Sequence, residues 1–126
     1  YLVRDRLGEK PLYYGWMGNT LLFGSELKAL RAHPAWQGTV DRDALTLYMR
    51  HGCVPAPYSI YQGVRKVEPA SVVTVSPGGR SDSVRYWVLE DVIRHGLAHP
   101  LTGSDRDITD QVERELSNAV AQQMQR

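Results

Sequence analysis

Few residues in this chain carry reactive side chains, and those few are not gathered. The single cysteine, Cys53, stands in "RHGCVPAP". A nucleophilic thiolate needs a base or a positive helix end beside it. His51 is two residues away, but it falls in the last turn of a helix, ahead of a proline-rich bend. Cys53 reads instead as a small buried hydrophobe. His33, His95 and His99 stand in loops or at helix ends without ligand spacing, as solvated imidazoles. Asp82, Glu90 and Asp91 are no more distinctive than any surface carboxylate. The patterns G-x-S-x-G, H-E-x-x-H, C-x-x-C and the Walker loop are all absent. "SPGGRS" (76–81) is glycine-rich, yet it joins two strands, and a phosphate cradle requires a helix N-terminus behind it.

The most heavily specified stretch is a turn, "RDRLGEKPLYYG" (4–15). Gly8 can take a positive φ where a side chain would clash, and Pro11 fixes φ as an apolar run begins. Asp5 can accept backbone N–H bonds across the bend, and Arg4 can pair with a nearby carboxylate. On these residues alone, the turn is rigid and without chemistry.

The elements around the turn read as α+β. "YLV" (1–3) is the end of a strand, and "LYYGW" (12–16) and "TLLFGS" (20–25) form a hairpin through Gly18 and Asn19. Neither run alternates polar with apolar, which predicts strands covered on both faces, between a second sheet and a helical layer. Ser25 is expected to cap a short helix, "ELKALRAH", that Pro34 stops. Asp41 is the expected N-cap of a second helix, "RDALTLYMRH", with Leu45, Tyr48 and Met49 as its apolar stripe and Gly52 as its stop. "SVVTV" (71–75) and "SVRYWV" (83–88) make a second hairpin, with Val84, Tyr86 and Val88 on one side. The stretch 89–106, broken by Gly96, Pro100 and Gly103, reads as a linker with one short helix. From Asp107, an amphipathic helix carries Ile108, Val112, Leu116, Ala119, Val120 and Met124 on one face.

Composition sets the outer limits. The chain has 126 residues, 42% of them hydrophobic, enough for one modest core. Lys and Arg number 15 against 14 Asp and Glu, a net charge of +1, with no basic run. That balance predicts neither a nucleic-acid nor a membrane partner. A lone cysteine predicts a reducing, cytoplasmic setting. The start "YLVRD", without an initiator Met, and the uncapped end of the last helix lead us to expect an internal piece of a longer protein.

The opening turn and the segments after it resemble the class II glutamine amidotransferases, most closely the glutamine-hydrolysing asparagine synthetases. Arg4, Asp5, Gly8, Pro11, Leu12 and Tyr13 match the family's turn and strand. Ser25, Glu26, Lys28, Ala29 and Leu30 match its helix start. The likeness continues through "DRDALTLYMRHGCVPAPYSIYQGVRKVEPAS", Tyr86–Trp87 and "AVAQQM". One departure is "VEPAS", where Ala70 stands in place of a glycine.

The resemblance implies that residues 1–88 are the C-terminal part of a glutaminase domain, an N-terminal-nucleophile hydrolase with an αββα sandwich. It implies a linker over 89–106 and the first helix of an ATP-dependent synthetase domain over 107–126. The parent enzyme would hydrolyse glutamine at an N-terminal cysteine and pass ammonia to a carboxylate activated with ATP and Mg2+. That carboxylate is aspartate in the namesake enzymes. Neither the nucleophile nor the family's Ser-Gly-Gly-x-Asp-Ser loop is in this chain, so no catalytic or cofactor-binding residue is assigned and neither ATP nor Mg2+ is expected to bind here. The resemblance places Glu9 and Lys10, between Gly8 and Pro11, near the ammonia passage, and leaves a homodimer open. A relative that amidates a sugar acid, and a non-catalytic interaction module, are the alternatives.

Overall fold

The computed structural model describes residues 1–124, in two compact units, Tyr1–Val88 and from Leu89 onward. Residues 125 and 126, the end of the helix expected over 107–126, lie outside the described residues.

In the first unit, β1 (Leu2–Val3), β5 (Ser71–Val75) and β6 (Ser81–Arg85) form one antiparallel sheet, in the order β1-β5-β6. A second antiparallel sheet has β2 (Tyr13–Met17) between β3 (Thr20–Gly24) and β4 (Val64–Lys66). Successive side chains of a strand point to opposite faces, and β2 uses both. Tyr14 joins Leu2, Val67 and Val73 in a core shared with the first sheet. Tyr13 and Met17 point the other way, into a cluster with Leu22, Val64 and Leu30 of α1 (Leu27–Arg31). The β3-β2-β4 sheet thus has a sheet on one face and a helix on the other. The cover is incomplete at its edge, where Phe23 is 61% exposed, contrary to the expectation of strands covered on both faces. Gly15 marks where β2 and β4 come closest, since a Cβ there would lie 2.3 Å from the Gly63 carbonyl oxygen.

Several boundaries differ from expectation, for local reasons. Ser25 does not cap α1: Glu26 takes the N-cap position with extended φ and ψ and no side-chain cap, and its carboxylate pairs with Lys28 at 2.6 Å. The β5–β6 turn closes through a bond from Ser76 N–H to Arg80 O at 2.9 Å. Ser81 then pairs with Val75, so β6 starts at Ser81 rather than Ser83. In α2 (Arg42–His51), Asp41 accepts from the Asp43 and Ala44 N–H groups and Gly52 ends the helix at φ 71°, as the sequence predicts. Its buried contact, however, is Ala44. Leu45, Tyr48 and Met49, the expected apolar stripe, are exposed, Met49 by 78%.

The second unit holds α3 (Leu89–Ala98) and α4 (Asp105–Met124), neither with a buried residue. α3 spans the first half of the stretch read as a linker. α4 begins two residues ahead of the expected Asp107, because Ser104 supplies the cap. Its hydroxyl donates to Asp107 Oδ2 at 2.6 Å and accepts from Asp107 N–H at 3.3 Å. The Asp107 carboxylate in turn accepts from Ser104 N–H at 3.1 Å. This is a reciprocal capping box, written in the sequence as Ser-x-x-Asp.

Candidate functional site

The opening turn is built from two side chains that satisfy main-chain groups. Leaving β1, the chain is tied to β5 by a bond from Arg4 N–H to Ser71 O at 3.0 Å. Arg4 then folds its guanidinium inward. Its Nη2 donates to Gly8 O at 2.7 Å, Nε to Lys10 O at 2.9 Å and Nη1 to Val67 O at 2.7 Å. The expected partner was a carboxylate. Instead, three carbonyls converge on the fork of N–H donors, a geometry that a single acid could not use as fully.

Asp5 holds the other side. Its Oδ1 accepts from Glu9 N–H at 2.9 Å and Leu7 N–H at 3.2 Å, and its Oδ2 from Lys10 N–H at 3.3 Å. Hydrogen bonds to the charged form favour ionisation. The Glu9 N–H, with those of Lys10, Gly8 and Leu7, therefore holds the Asp5 carboxyl below its ordinary value, against a smaller opposing effect of desolvation. The Asp5 carbonyl accepts from Gly8 N–H at 3.2 Å and Ala70 N–H at 2.8 Å.

Gly8 is required twice at this point. Its φ is +69°, and a Cβ would lie 2.8 Å from Pro69 Cγ and 2.9 Å from Arg4 Cζ. Ala70, where the resembling family carries glycine, sits at φ +55° and is buried, so it keeps the left-handed bend despite its methyl group. Tyr86 closes the arrangement by donating its hydroxyl to Arg4 O at 2.8 Å and its N–H to Ala70 O at 2.8 Å.

The structure thus brings Arg4, Asp5, Gly8 and the main chain of Glu9 and Lys10 into one network, while the Glu9 and Lys10 side chains are exposed. Pro11 is half-buried beside them. The sequence reading missed Tyr86 and the Val67 carbonyl as members, since neither is near the turn along the chain. It also missed Lys66, whose ammonium donates to Val54 O at 2.7 Å and stands 5.4 Å from the Tyr13 ring centre. Burial, and then the Arg4 charge, push the Lys66 pKa down. Cys53, expected to be buried, is exposed, because it follows Gly52 past the open end of α2.

The residues present do not suit ATP or Mg2+. "SPGGRS" leads from β5 into β6, so no helix N-terminus stands behind its glycines. Among the described residues, no three His, Cys, Asp or Glu side chains come together.

Comparison with known proteins agrees with the motif. The chain is 40% identical over 91 residues to asparagine synthetase [glutamine-hydrolyzing] 3 of Bacillus subtilis (strain 168), covering 71% of this chain and 15% of that protein. It is 40% identical over 94 residues to the putative asparagine synthetase [glutamine-hydrolyzing] 2 of Methanocaldococcus jannaschii, covering 72% of this chain and 18% of that protein. Asparagine synthetase [glutamine-hydrolyzing] 1 of Bacillus subtilis matches at 39% over 79 residues, 63% of this chain and 12% of that protein. The chain therefore spans under a fifth of the length of these relatives. The profile of the glutamine amidotransferase domain covers residues 1–87, from β1 through the Arg4–Asp5 turn and both sheets, and by that match this chain belongs to the glutamine amidotransferase domain family.

Proposed function

We propose that this chain is the middle of a glutamine-hydrolysing asparagine synthetase. Residues 1–88 are the last part of its glutaminase domain, of the N-terminal-nucleophile hydrolase type. Residues 89–106 connect the two halves, and 107–126 begin the synthetase domain. In the parent, glutamine hydrolysis supplies ammonia to an aspartate carboxylate that ATP, with Mg2+, activates. A lone, exposed cysteine fits a reducing, cytoplasmic setting. Among the described residues, no helix is long and apolar enough to cross a membrane.

In this reading, the residues here hold and position, and none reacts. Arg4 and Asp5 freeze the turn, so that the main chain at Glu9 and Lys10 keeps one conformation beside the ammonia passage, while their side chains stay in water. The observation that carries the reading is this turn, within a chain 40% identical to relatives named as glutamine-hydrolysing asparagine synthetases.

The test has two parts. The whole open reading frame, given aspartate, glutamine and ATP, is expected to form asparagine and release glutamate. Amidation of a sugar acid in place of aspartate would replace the acceptor, and the absence of both half-reactions would overturn the reading. The present chain alone is expected to release no glutamate. Release that Cys53→Ala abolishes would make Cys53 a nucleophile and refute the assignment.

A further inference from the structure

Within the first unit, an open groove of about 550 Å3 runs between α2, the 53–60 segment and β4. That is the size of a small-molecule pocket. Leu27, Leu45, Tyr48 and Ile60 make its walls apolar. Besides the phenols of Tyr13, Tyr48 and Tyr58, the lining residues with polar side chains are Lys66, Cys53 and Ser59.

Lys66 is the odd member. An ammonium has three protons to donate, and Val54 O takes one. Among the described residues, no carboxylate pairs with Lys66; after burial, the larger charge effect on it comes from Arg4, another cation, and the nearby Cys53 opposes this only as the smallest of the causes. A half-buried cation with no anion is unfavourable, because burial strips its water without replacing it by opposite charge. Ser59, buried and accepting from Tyr61 N–H at 3.2 Å, still has its own hydroxyl proton to give. The groove therefore offers an unmatched positive charge and a spare hydroxyl, set into an otherwise greasy wall.

We propose that this groove binds a small molecule carrying a carboxylate on an apolar body. The carboxylate rests on Lys66 Nζ and the body lies against Leu45, Tyr48 and Ile60. Phosphate alone leaves the walls bare, and a hydrocarbon alone leaves Lys66 uncompensated; the carboxylate on an apolar chain answers both.

Cys53 gives a readout from inside the groove, because its exposed thiol lines it. Alkylation of Cys53 by iodoacetamide, followed by mass spectrometry, is measured with octanoate, octanol and acetate as probes. Octanoate is expected to protect Cys53 at a concentration about tenfold lower than octanol, the scale of one charge-assisted hydrogen bond. Acetate is expected to protect least. Lys66→Met should remove the advantage of octanoate over octanol, and Lys66→Arg should keep it. Leu45→Glu, at an exposed position, should abolish octanoate protection by like-charge repulsion.

Equal protection by octanoate and octanol, protection unchanged in Lys66→Met, or no protection at all would overturn the proposal. So would a Cys53 that is inert in the full open reading frame whether or not octanoate is added, because a polypeptide segment would then fill the groove.

Discussion

The two units of this chain use their apolar residues in opposite ways. In residues 1–88, side chains far apart in sequence close on one another: Leu2, Tyr14, Val67 and Val73 in one cluster, and Met17, Leu22, Leu30 and Val64 in another. In α3 and α4, Leu97, Leu116 and Met124 have comparable bulk, yet neither helix buries a residue. What holds the helices is local, an Arg94–Asp91 pair at 2.8 Å in α3 and the Ser104–Asp107 capping box of α4. An exposed ion pair of this kind contributes under about 1 kcal/mol. The lesson is that a strong amphipathic pattern specifies a helix without specifying what covers it. Burial needs a second surface, and in the first unit the two sheets supply one to each other.

The contrast can be broken most forcefully at Gly8. Gly8→Val places a β-branched residue at φ +69° and drives its Cβ against Pro69 and Arg4. A loss of about 4 kcal/mol is expected for the first unit, combining backbone strain with overpacking. The check is urea unfolding followed by near-UV circular dichroism; an unchanged midpoint would mean that Gly8 has an ordinary conformation.

A paired truncation sharpens the comparison directly. Leu30, 3% exposed, and Leu116, 63% exposed, are the same residue in the two settings. Leu30→Ala is expected to cost about 3 kcal/mol through its cavity, and Leu116→Ala less than about 0.5 kcal/mol. Equal costs in thermal melts would show that α4 is covered after all.

A smaller effect is expected at the cap of α4. Ser104→Ala should remove about 1 kcal/mol of helix stability, read as lost amide protection over the first turn of α4, with the strands of the first unit unchanged.

The smallest expected effect comes from acid. Asp5 and Asp107 both have lowered carboxyl pKa values, Asp5 through the Glu9 N–H and Asp107 through the Ser104 hydroxyl. A depressed folded-state pKa stabilises above the unfolded value of about 3.9 and is lost as pH falls through the folded value. Both groups are exposed, so solvent keeps the effect small. Amide exchange between pH 5 and 2 should show the Glu9 and Lys10 amides opening as Asp5 protonates, and the first turn of α4 fraying as Asp107 does. Protection that is flat across this range would remove both carboxylates from these roles.

Much of this protein was decided within a few residues of chain and could be read there. Asp41 caps α2 and Gly52 ends it because a cap is an interaction between neighbours. The hairpins follow their turns, and the Gly8–Pro11 spacing announces a bend whose main-chain N–H groups Asp5 collects. The Ser104–Asp107 box was equally local, and Ser-x-x-Asp was the signal for it. What only the tertiary structure decided lies across long sequence separations. Arg4 meets the carbonyl of Val67, 63 residues away, where the turn alone suggested a carboxylate. Tyr86 reaches back 82 residues to Arg4. Cys53 and the Leu45–Tyr48 stripe came out exposed, and Lys66 was left without a carboxylate partner, because burial depends on which surfaces meet. Periodicity says which face of an element is apolar; only packing says whether that face is covered, and by what.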